Sequence, residues 1–222
     1  MIPLRGGRDV AARRLGWANA LAAGLMLGVA FTLGVVPEVE AVSTGLGALA
    51  GLLLVAGTHR ATGTEGLDLN RLDGEAPAYA YQVALVQAIH AAAEGVAIGA
   101  AMAASLPFGL FTAGTMAVHN VPEATVLAAV QRARGVRLPT AALIVVGVNL
   151  PQAFVAVASW AVIVAAPAVL PWALGLAAGM LVHLVMVELL PESYREAGHT
   201  SIAVVTSVAM SAVALLMGWV VP

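Results

Sequence analysis

Long apolar runs separated by short polar breaks set the pattern of the chain. Seven runs stand out, at residues 17–36, 43–57, 79–104, 108–131, 139–165, 168–190 and 201–221. A helix needs about 20 mainly apolar residues to cross the hydrocarbon of a bilayer. The pattern therefore predicts an all-α fold, a polytopic membrane helix bundle with seven transmembrane helices, the second being the shortest. The breaks are tight except at 58–77, THRATGTEGLDLNRLDGEAP, which holds His59, Glu65, Asp68, Asp73 and Glu75 and reads as a flexible loop between a two-helix front and a five-helix back. The 43–57 run contains no ionisable residue, and no role beyond packing is expected of it.

The arginines orient this bundle. If the seven runs cross in alternation, Arg5, Arg8, Arg13, Arg14, Arg60, Arg71, Arg132, Arg134, Arg137 and Arg195 all fall on the side of the N-terminus. By the positive-inside rule that side is the cytoplasm. The expected organisation is a cytoplasmic segment at 1–16 and one transmembrane domain at 17–222 with the 58–77 loop cytoplasmic, in a cell (inner) membrane. Composition agrees: 61% of residues are hydrophobic and 10% charged, against about 25% charged in soluble domains. Ten basic against twelve acidic residues leave a net charge of −2 and no basic stripe, so nucleic acid is excluded as a partner. The absence of cysteine excludes disulfides and thiolate metal sites.

Two runs resemble each other. Residues 21–38 read LAAGLMLGVAFTLGVVPE and residues 176–192 read LAAGMLVHLVMVELLPE. Such internal repeats build many secondary transporters, with the substrate held near midplane. Glycines at small-xxx-small spacing, Gly24/Gly28, Gly47/Gly51, Gly95/Gly99 and Gly175/Gly179, predict close helix packing.

Within 79–131 the only Asp, Glu, Lys or Arg residues are Glu94 and Glu123, and each follows a histidine by four positions, His90 and His119. A carboxylate at the bilayer centre costs roughly 2.5–3.5 kcal/mol on insertion scales, so it persists where a partner or a function compensates. The i, i+4 spacing puts each His and Glu on one helix face. The short Ser105–Pro107 link makes the two helices antiparallel neighbours, so the four side chains can converge. A divalent cation held by two carboxylates and neutral imidazoles cancels their charge. Mixed imidazole and carboxylate ligation suits Zn2+, Fe2+, Mn2+, Co2+ or Cd2+ rather than Mg2+; interhelical hydrogen bonding is the alternative use of such residues.

Pro122 and Pro151 each remove a backbone donor mid-run, and Asn149 and Gln152 beside Pro151 offer either a polar wall or a repair of the kink. His183, Glu188 and Glu192 descend toward the arginine-bearing side, as a release path for a cation or a polar helix end would. Met26 lies mid-run, where a thioether ordinarily packs.

These residues resemble the ZIP family of divalent transition-metal transporters, whose fourth helix carries an HNxPEG-like motif and whose fifth carries an HxxPE-like motif, together forming an intramembrane metal site. Here HAAAEG stands at 90–95 and HNVPE at 119–123. Residues 179–192 are similar to the family's seventh helix, and residues 22–31 to the second helix of its bacterial branch. In that branch a methionine joins the metal shell, which the resemblance carries to Met26. Three departures accompany it: the family's first helix has no counterpart, Ala91 and Ala93 replace the Asn and Pro of the fourth-helix motif, and Leu150 precedes Pro151 where a Glu is usual. The Ala91 and Leu150 changes remove ligands of the family's second metal. The resemblance thus implies one principal metal on His90, Glu94, His119 and Glu123, with Met26 and Asn120 beside it, and Asn149, Gln152, His183 and Glu188 along the path.

The function expected is a secondary carrier that moves a divalent transition metal, zinc foremost, to the cytoplasm. Its partners are then the lipid bilayer and the metal substrate, and the bundle is compatible with a homodimer. Two rivals are a seven-helix intramembrane zinc hydrolase using His90, His119 and His183, although the chain has no HExxH motif, and a transport-dead metal-binding membrane protein.

Overall fold

The structure, a computed structural model, describes residues 6–36, 39–64 and 77–220. Every regular element among them is helical: α1 (Gly6–Gly34), α2 (Ala41–Thr62), α3 (Pro77–Ala104), α4 (Leu106–Ala133), α5 (Leu138–Ala165), a 3-10 turn (Pro167–Val169), α6 (Leu170–Leu184), a π turn (Val185–Leu189), α7 (Leu190–Ala197) and α8 (His199–Val220). The helical membrane bundle read from the sequence is the fold.

Among the described residues, six segments are long and apolar enough to span a bilayer, and α4 is not among them. The reason is chemical. His119, Asn120, Pro122 and Glu123 dilute the apolar character of its 28 residues. Its surface is nonetheless inverted as a membrane helix requires, with Leu106, Leu110, Val118 and Val121 exposed while His119 and Glu123 are buried. Nearly all of α5 faces outward on large apolar side chains such as Leu143, Phe154 and Val157, a surface made for lipid rather than water.

The predicted glycine pairs mark the closest helix contacts. Between α2 and α6 the arrangement is reciprocal: Gly47 and Gly51 lie against the backbone of Trp172 and Leu176, while Gly175 and Gly179 lie against that of Thr44 and Ala48. Gly95 and Gly99 admit the α5 backbone at Gln152 and Ala156, where a Cβ on Gly95 would stand 2.5 Å from the Gln152 carbonyl. Gly24 and Gly28 admit Thr206, Ala209 and Val213 of α8, and Thr206 Oγ1 donates to the Ala20 carbonyl at 3.2 Å. With no hydrophobic drive between helices in lipid, such backbone-to-backbone packing is what holds the bundle together. Gly16 of α1 touches Glu196 and Ala197, so the beginning of α1 and the end of α7, each marked by arginines (Arg13 and Arg14, and Arg195), share one end of the molecule.

Besides α1, which begins at Gly6 ahead of the 17–36 run, two stretches depart from the sequence reading. The 58–77 loop is helical at its start: α2 runs on through the polar residues to Thr62 and stops where Gly63 takes a left-handed conformation (φ 66°). Hydropathy falls at Thr58, but nothing before Gly63 breaks the backbone. Residues 65–76 lie outside the described residues. The 168–190 run is the other case, extending as α6, the π turn and α7 to Ala197. In the wide turn the Leu190 N–H bonds the Val185 carbonyl five residues back, and Pro191, which has no N–H to give, follows directly. The helix absorbs its proline by widening. Of the two similar runs, 21–34 and 176–190 are both helical; Pro37 and Glu38 lie outside the described residues.

Candidate metal centre

The link between α3 and α4 is a single residue. Ser105 closes it, its hydroxyl accepting from the Phe108 N–H at 3.3 Å, and Pro107 occupies the first turn, where no donor is needed. The helices therefore return antiparallel. That register crosses the two motifs, setting the first residue of each opposite the last of the other. His119 Nε2 lies 3.0 Å from Glu94 Oε1, and His90 Nδ1 lies 3.4 Å from Glu123 Oε1. Within α4, His119 Nε2 is also 3.5 Å from Glu123 Oε1. The four expected residues meet, and all four are buried.

The line of contacts continues beyond them. His90 Nε2 lies 3.0 Å from Glu188 Oε2 in the π turn, and Glu188 Oε1 lies 3.1 Å from His59 Nε2 at the end of α2. Glu94, His119, Glu123, His90, Glu188 and His59 thus form one unbroken series of alternating carboxylates and imidazoles. It runs from mid-bundle toward the end that carries Arg13, Arg14, Arg60 and Arg195. His183 stands next to its last member, with ring centroids 6.5 Å from those of His59.

Two triads in this series offer ligand atoms that all lie within 4.8 Å of one another: Glu94, His119 and Glu123, and His59, His90 and Glu188. Tetrahedral ligands about 2.1 Å from a zinc ion stand about 3.4 Å apart, so small side-chain shifts close either triad around a cation. The first triad has two carboxylates, enough to neutralise a divalent ion in a medium that screens poorly. Gln152 Nε2 donates to Glu94 Oε2 at 2.7 Å, and Asn120 Nδ2 donates to Gln152 Oε1 at 3.0 Å. With its amide turned over, Asn120 donates to Glu94 Oε2 directly at 2.9 Å. These amides orient the carboxylate as outer partners of a metal ligand do.

Asn149 donates to the Val145 carbonyl of its own helix at 2.9 Å. Met26 is fully buried in the main apolar cluster with Ala93, Ala97 and Met116. Glu192 pairs with Arg195 one turn along α7. His183 belongs to neither triad and sits beside His59, so the three histidines of the hydrolase reading are not gathered around one point.

His59 was not foreseen. Placed in the polar loop by the sequence reading, it belongs to α2 instead, and its imidazole is buried, 4% exposed. A signal for it exists: the buried stripe of α2 runs Gly47, Gly51, Val55, His59 at intervals of four, so the glycine pair extended by two further turns reaches the histidine.

The chain matches no family model. It is 32% identical over 210 residues, 90% of its own length, to an Arabidopsis thaliana protein described as a "putative zinc transporter". The chain spans about a third (33%) of that relative. Over nearly all its length, then, it is similar to one part of a longer protein whose description names zinc.

Proposed function

We propose that the chain belongs to the ZIP-like carriers and moves a divalent transition metal across a membrane toward the cytoplasm, with zinc the first substrate and Fe2+, Mn2+, Co2+ and Cd2+ the alternatives. One observation carries this reading: the alternating series of carboxylates and imidazoles buried in the interior of an apolar bundle. Burial strips much of the solvating water from such groups, and each carboxylate left unpaired would cost several kcal/mol (about 2.5–3.5 on insertion scales). A permeating cation is the compensation that also gives them a use.

The substrate ion rests on Glu94, His119 and Glu123 with His90 at their edge, and Asn120 and Gln152 hold Glu94 in position. Metal binding displaces protons from these groups, since carboxylates and imidazoles ligate only when deprotonated. The end of the molecule rich in arginine faces the cytoplasm, in the cell membrane. The series from Glu94 to His59 then descends in the direction of uptake. Similarity to a protein described as a "putative zinc transporter" supports the choice of substrate.

The test is Zn2+ entry into sealed vesicles containing the reconstituted protein. Glu123→Ala should abolish uptake while the variant inserts normally; undiminished uptake by that variant contradicts the assignment.

A further inference from the structure

Between the first triad and the Ser105 turn, at the end away from the arginines, the interior is apolar but for one side chain. The buried residues that α3 gives to the main apolar cluster are all alanine, Ala93, Ala97, Ala100 and Ala101. On α4 the buried Phe108 and Met116 belong to the same cluster, and Thr112 stands between them at intervals of four, on the same helix face. Thr112 is fully buried, and its hydroxyl has no hydrogen-bond partner among the described residues.

That makes it an exception. The other buried serines and threonines, Thr32, Ser43, Thr44, Thr64, Ser193 and Thr206, are each hydrogen-bonded. Elsewhere on α4, Thr115 and Thr125 donate to the carbonyls of Phe111 and Val121 four residues back, at 2.9 Å and 2.8 Å, the common resort of a helical threonine. Thr112 makes no such bond to Phe108. A hydroxyl buried without a partner costs free energy that a valine of the same shape avoids, so its presence calls for a use.

A second orphan points to what that use is. His119 Nδ1 is also buried without a hydrogen-bond partner, while Nε2 faces Glu94 and Glu123. Seven residues, or two turns and about 10 Å, separate Thr112 from His119. Helical side chains lean toward the N-terminus of their own helix, and for α4 that is the direction of Thr112.

We propose that Thr112 is a contact of the entry step: its hydroxyl oxygen replaces one water in the shell of a divalent cation approaching the Glu94, His119 and Glu123 triad from the end away from the arginines. The proposal rests on the carrier reading and extends it to how the ion arrives. The alanines opposite offer no donor of their own. A neutral oxygen eases the passage of the ion without holding it, because only the triad supplies charge to cancel. Thr112 therefore governs the rate of entry and leaves the affinity of the triad alone.

The experiment compares the full chain with Thr112→Val and Thr112→Ser in three measurements: Zn2+ entry into sealed vesicles, Zn2+ affinity by equilibrium dialysis, and melting temperature. Thr112→Val should slow entry by about fivefold to tenfold, with affinity within about twofold and a melting temperature equal to or above that of the wild type, since an unpaired buried hydroxyl has gone. Thr112→Ser keeps the oxygen and should keep the rate. If the valine variant fails to insert, Thr112→Ala, which also lacks the hydroxyl, takes its place. Entry at the wild-type rate without the hydroxyl overturns the proposal and leaves the carrier reading standing, and so does a loss of entry that the serine variant shares with a lowered melting temperature. No Zn2+ entry with the wild type removes both.

Discussion

The two triads are built from the same chemistry by different means. Glu94, His119 and Glu123 come from two helices joined by one residue, and their register follows from the Ser105 turn. His59, His90 and Glu188 come from α2, α3 and the π turn, and they depend on a helix that overruns its apolar stretch and on a local widening of another. The first triad has two carboxylates and buttressing amides from α4 and α5; the second has one carboxylate and a threonine. A compact local motif fixes its ligand atoms through one turn, whereas a composite of distant elements depends on how those elements pack. All ligands of the first triad travel with α3 and α4, while the second exists only where α3 meets α2 and the π turn.

The largest effect expected from breaking this contrast comes from Glu94→Ala or Glu123→Ala. Removing one partner of a buried charged group costs about 3–5 kcal/mol, or more than a hundredfold in binding. The bound ion should be lost, with transport, by isothermal titration and vesicle flux. His59→Ala should instead slow flux while the ion is still bound.

Packing substitutions separate the triads without touching a ligand. A side chain at Gly179 meets the Ala48 backbone, so Gly179→Val should push α2 from α6 and disturb His59 against Glu188. Gly95→Val presses on the Gln152 carbonyl instead and should disturb Glu94. Overpacking of this kind costs about 1–3 kcal/mol, visible as a lower melting temperature for both. Zn2+ binding at Glu94 should suffer in the second variant and be kept in the first; the opposite assignment would break the comparison.

A smaller change is expected from Gln152→Leu, which removes the 2.7 Å hydrogen bond to Glu94 Oε2. Loss of an outer partner of a ligand costs about tenfold to a hundredfold in metal affinity, here at Glu94, His119 and Glu123. Smallest of all is Met26→Leu. The side chain is buried among apolar neighbours, and a volume-conserving exchange there costs under about 1.5 kcal/mol. Zn2+ affinity should stay within about tenfold; a greater loss, worse for Cd2+ than for Zn2+, would place the thioether in the metal shell.

The same contrast explains what could be read from the sequence. The apolar runs announced the bundle, and four glycine pairs announced its closest contacts, because lipid imposes both requirements residue by residue. His90, Glu94, His119 and Glu123 stood out for being ionisable where ionisable groups are costly, Asn120 for lying inside the second motif and Gln152 for lying beside Pro151. Which histidine meets which carboxylate was not legible, since i, i+4 spacing fixes a face but not the partner across the interface. His59 was hidden by a hydropathy boundary at Thr58 that the backbone ignores. The aim of Glu188 was hidden because a π turn leaves no periodicity in so short a stretch. Asn149 and Gln152 look equivalent around Pro151, yet one bonds its own helix and the other Glu94.

Anomalous diffraction at the zinc edge from metal-soaked crystals tests the central claim most directly. The account predicts a strong peak about 2.0–2.2 Å from ligand atoms of Glu94, His119 and Glu123. Zinc bound only at surface carboxylates, with no density inside the bundle, would contradict it.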